Sequence, residues 1–333
     1  MASLHTRRQF IAAFASAGAA ALRCPPLARA ADGSLETTSV RLLKFPGICI
    51  APQYVAEALL RGEGFTEIRY VDAGPSVELS AKVGRGEADF TLEFAARIIQ
   101  AIDDGGAVTV LGGVHVGCYE LFAKDDIRSV GDLKGKSVGV RTAGDTPHAF
   151  LTAMAAHIGL DPLQDIHWVT GSNPLDAFAE GKIDAVFATP PEPQELRARG
   201  FRHVIFNSIV DRPWSQYFCC MLCGNREYVR KYPVATKRVL RAVLKAADLC
   251  VADPARVARN IVDGGFTKSY DYALAALQEV QYDKWREYDP EDTIRYYALR
   301  LHEAGMIRLL PNQIIAENTD WHFLSELKRE LKA

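Results

Sequence analysis

The chain has 333 residues, of which 48% are hydrophobic, enough for one large core or two domains of medium size. Its 39 lysines and arginines nearly balance its 41 aspartates and glutamates, so the formal net charge is −2. Because the chain is slightly acidic and has no basic run, we expect no nucleic-acid partner.

The first thirty residues predict an export signal. The pair Arg7-Arg8 precedes an uncharged, alanine-rich stretch at 11–22, which is too short to span a bilayer as a permanent helix. Small residues at Ala28 and Ala30 match the positions that a signal peptidase recognises. We therefore expect a twin-arginine signal, cleaved near Ala30, and a folded mature chain in the periplasm. Without this segment the chain keeps 35 basic and 41 acidic residues, so the mature protein is more acidic.

Strands and helices alternate after the signal. Strands are predicted at 40–45, 67–71, 88–92 and 107–111, and helices at 54–59, 77–83 and 95–102. The same alternation is predicted again later in the chain, with strands at 137–140, 166–170 and 183–188 and with helices at 146–158 and 173–180. Because strand and helix alternate at this spacing, we predict βαβ units and mostly parallel sheets.

Two segments of the chain share one design. In 83–90 and in 179–186, a helix end is followed by a glycine, a charged residue and an aspartate that enters a buried strand. This similarity suggests two α/β lobes of similar construction. From Tyr228 onward the pattern changes to helices alone, beginning with a long amphipathic helix at 233–251 that we expect to pack on one lobe. Further helices are predicted at 254–263, 270–282 and 290–304 and from 320 onward.

Three of the seven cysteines lie in the apolar run 218–223, which predicts a buried strand because it contains no glycine or proline. On a regular strand Cys220 and Cys223 would face opposite sides, whereas Cys219 and Cys223 would share a face but lie roughly 13 Å apart. Neither pair could close on one metal ion without a turn. We therefore expect buried packing cysteines, with no metal site and no cofactor.

Four motifs along the chain are typical of one family. They lie at 51–57, 84–90, 130–140 and 225–233, and the third contains the sequence DLKGKSVGV. Through these motifs the chain resembles the periplasmic solute-binding proteins of ABC importers, in the nitrate/sulfonate/taurine cluster. That family is related to the fungal thiamine-pyrimidine synthases. The resemblance covers nearly all of the mature chain.

The resemblance implies an α/β fold of the type II periplasmic-binding class, with two doubly wound lobes, a ligand cleft between them and a helical C-terminal segment. One lobe would contain residues 38–113 and 214–333, and the other would contain residues 114–213. The closed form would bind transiently to an ABC permease in the inner membrane. We expect a monomer that is not an enzyme.

Candidate ligand-binding residues follow from the rule that binding groups in an open α/β sheet lie at the carboxyl ends of the strands. The rule, together with a tryptophan where the chain would return to the first lobe at 213/214, selects Phe45, Gly47, Gly74, Ser76, Glu93, Arg141, Thr142, Asp145, Thr146, Thr189 and Trp214. Trp214 could stack on a planar ligand or pack in the core.

The charges of these candidate residues do not decide whether the ligand is an anion or a hydrogen-donating molecule. The helix starts at Ser76 and at Asp145-Thr146 would favour an anion such as a sulfonate or carboxylate, unless these residues merely cap their helices. Arg141 could pair with an acidic ligand or with a neighbouring acid. Glu93 and Asp145 would instead suit a ligand with a basic or hydrogen-donating part, such as an aminopyrimidine.

The sequence therefore predicts the extracytoplasmic solute-binding component of an ABC importer, with a sulfonate, taurine-like or carboxylate ligand. A binding protein for a thiamine pyrimidine precursor is the alternative, and a sensor read by a membrane receptor is also open. A pyrimidine-synthesis enzyme fits less well. The cysteine-rich motif associated with that activity aligns with residues 214–218, which contain no cysteine, and such an enzyme works inside the cell.

Overall fold

The computed structural model describes residues 33–74 and 78–331, so the predicted export signal and Ser76 lie outside the described residues. The strands in this part of the chain are β1 Ser39–Lys44, β2 Glu67–Asp72, β3 Phe90–Phe94, β4 Val108–Val116, β5 Glu120–Ala123, β6 Lys136–Val140, β7 Ile166–Thr170, β8 Ala185–Ala188, β9 Val204–Asn207 and β10 Phe218–Asn225. The α-helices are α1 Ala51–Val55, α2 Glu57–Gly62, α3 Leu79–Gly84, α4 Ala95–Asp103, α5 Thr146–His157, α6 Pro174–Ala179, α7 Glu192–Ala198, α8 Arg226–Lys231, α9 Pro233–Ala252, α10 Pro254–Asp263, α11 Tyr270–Glu279, α12 Pro290–Glu303, α13 Pro311–Asn318 and α14 His322–Glu330.

The strands form two sheets of five strands each. The first sheet has the order β2-β1-β3-β10-β4, and the second has the order β7-β6-β8-β5-β9. In each sheet one strand runs against its neighbours, since β10 is antiparallel to β3 and β4, and β5 is antiparallel to β8 and β9. The predicted α/β class is confirmed, but both sheets are mixed where the sequence predicted mostly parallel pairing.

The chain passes between the two sheets twice. β4 of the first sheet leads into β5 of the second through residues 117–119, and β9 returns to β10 through residues 208–217. β10 is therefore a strand of the first sheet, although the whole second sheet separates it from β4 in sequence. Tyr119 of the first crossover lines the cavity described below.

The segment design that repeats in the sequence also repeats in three dimensions. The Asp89 carboxylate accepts a hydrogen bond from the Arg41 amide of β1 at 2.7 Å, and the Asp184 carboxylate accepts one from the Ser137 amide of β6 at 2.9 Å. In both places the amide of the aspartate donates back to the carbonyl of the same strand residue at 2.9 Å. The glycine in each preceding turn has a positive φ, which a glycine adopts without strain.

The C-terminal helices pack on the first sheet. α9 buries one face of small and branched side chains and contacts α1, β4 and α14. Its Arg241 is buried and pairs with Glu63 at 2.7 Å and with Glu330 of α14 at 3.1 Å, so the last helix is held against the rest of this layer. A backbone bridge between Val110 and Thr319 adds a further link. Among the described helices, none combines the length and the apolar character that crossing a membrane requires.

Several elements differ from the sequence prediction. β5, β9 and α7 were not predicted, because each is short and shows no clear hydrophobic period. β4 continues to Val116 through Gly112 and Gly113. A Cβ atom at Gly113 would lie 2.2 Å from the ring of Phe218, so this glycine allows β10 to approach closely and does not end the strand.

Candidate functional site

A cavity of about 130 Å³ lies between the two sheets. Seven of the predicted binding residues line it: Phe45, Gly47, Glu93, Arg141, Asp145, Thr146 and Thr189. The first three follow or end strands of the first sheet, and the other four follow β6 and β8 of the second. The carboxyl-end rule therefore selected residues at the ends of four separate strands, which meet at one cavity.

Three predicted residues do not line the cavity, and Ser76 lies outside the described residues. Gly74 is exposed in the turn after β2, where its amide donates to the Asp72 side chain at 2.7 Å. Thr142 is exposed beside the lining, and its amide donates to the Asp145 carboxylate at 3.1 Å. Neither residue is part of the cavity lining.

Trp214, the third, packs in the core. Its side chain is 5% exposed and meets Phe150 and Tyr296 edge-on, with ring centroids 5.1 and 5.3 Å away. Its position near the second crossover suggested stacking on a ligand. In the structure the indole instead contacts Tyr296 of α12, which is distant in sequence. Core packing, the other interpretation of this residue, is the one that the structure supports.

Asp145 caps helix α5 from within its own loop. Its carboxylate accepts hydrogen bonds from the amides of Arg141, Thr142 and His148 at 3.0, 3.1 and 2.9 Å, and the residue is 2% exposed. A negative charge therefore already occupies the positive end of this helix. An anionic ligand here would lie beside a buried carboxylate, so the helix start favours an anion less than the sequence suggested.

Arg141 is paired with an acid of the nearby helix α7. Its guanidinium forms an ion pair with Glu192 of α7 and donates to the Ser172 carbonyl at 2.9 Å. Glu192 in turn accepts a hydrogen bond from the Thr189 amide at 2.9 Å, so the loops after β6 and β8 are joined at the cavity wall. Of the two interpretations of Arg141, the structure supports pairing with a neighbouring acid.

Glu93 is a buried acid at the end of β3. Its carboxylate accepts hydrogen bonds from the amide of Ser80 at 2.6 Å and from the hydroxyl of the same residue. Burial raises the pKa of Glu93 to about 7. Near neutral pH this carboxyl can therefore donate or accept a hydrogen bond, and a cationic or hydrogen-donating ligand would stabilise its ionised form.

Much of the remaining wall is apolar and aromatic. The rings of Phe94 and Tyr119 lie 5.4 Å apart, and Tyr119 stacks on Phe187 with a centroid distance of 5.3 Å. Ile50 and Leu92 extend this surface. An aromatic wall beside a buried acid suits a flat ligand with polar groups at its edge.

Five residues form a thiol–imidazole cluster next to the cavity, consisting of Cys49, His115, Cys118, Cys219 and Cys220. Cys49 and Cys220 also line the cavity. Although burial opposes ionisation, hydrogen bonds from Cys118 and Cys220 lower the pKa of the Cys219 thiol to about 5. The sequence prediction compared cysteines within one strand and so missed partners that follow β1 and β4. The location of Cys49 and Cys118 just after strands was the signal that could have found them.

The fold has counterparts among solved structures. Two mixed sheets joined by two crossovers, with a cavity between them, match solved periplasmic binding proteins. The nitrate-binding protein NrtA from Synechocystis PCC 6803 aligns with a TM-score of 0.74 at 12% identity, covering 90% of each chain. The alkanesulfonate-binding protein SsuA from Xanthomonas axonopodis pv. citri, bound to MOPS, aligns with a TM-score of 0.68 at 18% identity, covering 86% of this chain and 100% of that one.

The chain belongs to the NMT1/THI5-like family, whose model matches residues 51–257. It is similar to the 4-amino-5-hydroxymethyl-2-methylpyrimidine phosphate synthase THI5 of Saccharomyces cerevisiae, with 24% identity over 236 residues. That alignment covers 63% of this chain and 68% of the yeast protein. The family resemblance and the type II periplasmic-binding fold predicted from the sequence are thereby confirmed. The lobe boundaries at 113/114 and 213/214 stay a prediction.

Proposed function

We propose that the chain is the extracytoplasmic solute-binding component of an ABC importer. The cavity between two sheets supports this function, as does the likeness to solved structures named as nitrate- and alkanesulfonate-binding proteins. The two lobes would close on a small polar organic solute and deliver it to a permease in the inner membrane. A cavity of about 130 Å³ favours a compact solute.

Two classes of ligand are candidates. The names of the structural neighbours favour an anion such as a sulfonate, a taurine-like molecule or a carboxylate. The charges at the cavity favour a ligand with hydrogen donors or a positive charge. Of the four formally charged side chains in the described lining, three are acids, and the single arginine is paired with one of them.

The buried acid Glu93 is the main reason to prefer one class of ligand over the other. Its ionised form would repel a sulfonate, whereas the amino group of an aminopyrimidine could donate to it while the ring lay against Phe94 and Tyr119. A thiamine pyrimidine precursor has this chemistry, and the yeast relative is named for making an aminopyrimidine phosphate. We therefore rank a flat, hydrogen-donating solute above an anion.

An enzymatic function has less support. The yeast relative is named as a synthase, but the two solved structures described above are named as binding proteins of nitrate and alkanesulfonate. The segment 214–218, which aligns with the cysteine-rich motif of the fungal enzymes, covers the end of the second crossover and the first residue of β10, and its Trp214 packs in the core. Binding without chemistry is the function that these positions favour.

A thermal-shift screen of the exported protein tests the proposal. The panel would contain nitrate, taurine, MOPS, simple carboxylates, aliphatic amines and aminopyrimidines. A ligand at a hundred times its Kd should stabilise the fold by about 2.7 kcal/mol. We expect a shift with an aminopyrimidine that Glu93→Gln abolishes and that Glu317→Gln, at an exposed position, leaves unchanged. The absence of a shift in every class contradicts a solute-binding function, and a shift with sulfonates alone contradicts the donor-bearing ligand.

A further inference from the structure

We propose that the thiol–imidazole cluster binds one thiophilic transition-metal ion of the Zn²⁺ or Cu⁺ type. The cluster contains two overlapping groups, Cys49 with His115 and Cys118, and His115 with Cys219 and Cys220. In each group the cysteine sulfur atoms and one ring nitrogen of His115 all lie within 4.8 Å of one another. The proposal does not depend on which solute the cavity binds.

His115 provides the most specific observation. Its ring is fully buried, and Nδ1 lies 3.2 Å from the Gly117 carbonyl oxygen, to which it can only donate a hydrogen bond. The other ring nitrogen, Nε2, therefore carries the lone pair. Among the described residues this buried nitrogen has no hydrogen bond of ordinary geometry, although the Cys49 thiol interacts with the His115 ring. A buried polar atom without a partner is costly, and a metal ion would satisfy it.

The hydrogen bond at Nδ1 is the arrangement that metal-binding histidines use. A carbonyl or carboxylate partner on one ring nitrogen fixes the tautomer and the ring orientation, and leaves the other nitrogen to bind the ion. Here the Gly117 carbonyl would play that part for Nε2. Because this carbonyl belongs to the first crossover, the orientation of the ring is set by the backbone.

A β-bulge explains how two adjacent cysteines reach the same point. The pairing of β10 with β4 shifts register on both sides of Cys220, so that Phe218 pairs with Val116 and Cys220 with His115, which leaves Cys219 as an extra residue. On a regular strand the two side chains would face opposite sides of the sheet. In the structure both lie within 4.8 Å of His115, at the start of β10 beside the cavity.

The separation of the sulfur atoms fits a shared ion. The Sγ atoms of Cys118 and Cys219 lie 3.3 Å apart. Two thiolates bound at about 2.3 Å in tetrahedral geometry would lie about 3.8 Å apart, which a small side-chain movement achieves. A disulfide, by contrast, needs a separation of about 2.05 Å.

The type of ligand atom selects the type of ion. The cluster offers four thiols and one imidazole and contains no carboxylate, a set that suits Zn²⁺ or Cu⁺ and does not suit Mg²⁺ or Ca²⁺. Four of these five residues are buried, and Cys49 is half-buried. Because Cys49 and Cys220 line the cavity, the ion would lie at its wall.

The first experiment measures the metal content of the full chain, purified without chelators and protected from oxygen. Elemental analysis should find about one Zn²⁺ or Cu⁺ ion per chain. His115→Ala and Cys219→Ser should each lower the affinity for added Zn²⁺ about a hundredfold. Cys250→Ala is the matched control, since this cysteine is also buried but lies on α9 outside the cluster, and its affinity should be unchanged.

If His115→Ala or Cys219→Ser fails to fold, a further variant and a further metal ion still test the proposal. Cys49 is the half-buried member and lies in a loop, so Cys49→Ser should fold and should also weaken Zn²⁺ binding. Co²⁺ added to the metal-free chain should give thiolate charge-transfer absorption that Cys219→Ser reduces. Two results would overturn the proposal. One is equal Zn²⁺ binding by the wild type and His115→Ala, and the other is a metal-free Cys118–Cys219 disulfide in protein purified from a reducing cytoplasm.

Discussion

Arg141 and Glu192 form an ion pair that joins the loop after β6 to the start of α7 at the cavity wall. The Glu192 side chain is 14% exposed, whereas that of Arg141 is 52% exposed, so the acid lies inside and the arginine faces solvent. Arg141 therefore neutralises an inward-facing acid and is not free to attract an anion.

Replacing Arg141 by alanine should leave Glu192 as an uncompensated charge at the cavity. We expect Arg141→Ala to strengthen binding of a cationic or hydrogen-donating ligand by up to about 1 kcal/mol, since the arginine is half exposed, and to weaken binding of any sulfonate. Isothermal titration calorimetry would measure both affinities, with Arg128→Ala at an exposed position as the control. Weaker binding of the donor-bearing ligand by Arg141→Ala alone would speak against this assignment.

Glu93 should make stability depend on pH near neutrality. Burial raises its pKa to about 7, above its usual value, so the folded chain holds a proton that the unfolded chain has lost. This contribution to stability is complete below about pH 4.5 and is lost as the pH rises to about 7, by a few kcal/mol in total. Glu93→Gln should remove this loss. Urea unfolding of both chains between pH 4.5 and 8 would show it, and parallel profiles would contradict the prediction.

Asp184 should make the stability depend on pH in the opposite direction, so that stability is lost as the pH falls. Although partial burial opposes it, hydrogen bonds from Lys124 and Ser137 hold the pKa of Asp184 well below its usual value. Its stabilising contribution is present above about pH 4 and is lost as the pH falls. Asp184→Asn should lower the free energy of unfolding by about 1–3 kcal/mol at pH 7 and by less at pH 3, measured by urea unfolding. The same loss in the exposed control Asp125→Asn would refute a specific role.

The predicted export signal can be tested without reference to the fold. Replacing both arginines of the pair, Arg7→Lys together with Arg8→Lys, should leave the precursor in the cytoplasm, because paired arginines define this signal. Cell fractionation would measure the mature chain in the periplasm. The control is Arg23→Lys, which lies outside the pair and should be exported normally. Normal export of the double variant would show that the chain uses another route.

The framework of the fold could be predicted from the sequence because its signals are local. β7 at 166–170 and α10 at 254–263 have the predicted bounds, since hydrophobic period and flanking turn residues mark both ends. The antiparallel direction of β10 could not be predicted in this way. A buried strand shows the same apolar run in either direction, and its direction depends on a crossover from the other sheet.

The sequence predicted several of the residues that line the candidate site, but not which residues form hydrogen bonds and ion pairs with them. The strand-end rule found Glu93 and Arg141, but the groups that control their charge come from elsewhere, Ser80 from α3 and Glu192 from α7. The thiol–imidazole cluster was harder to predict from the sequence than these ligand-binding residues. Its residues come from four segments, and a bulge in β10 sets the direction of two of them, which alternation along a regular strand cannot reveal.

The position of β10 also has a consequence for the order in which the chain folds. The second sheet uses strands that are continuous in sequence from Glu120 to Asn207, so it can assemble once these residues are available. The first sheet cannot close at that stage, because β3 and β4 are separated by a strand that is synthesised only after the whole second sheet. Contacts between such distant segments form slowly. We expect a chain that ends before Phe218 to keep an ordered second sheet and to leave β3 and β4 without the strand that joins them.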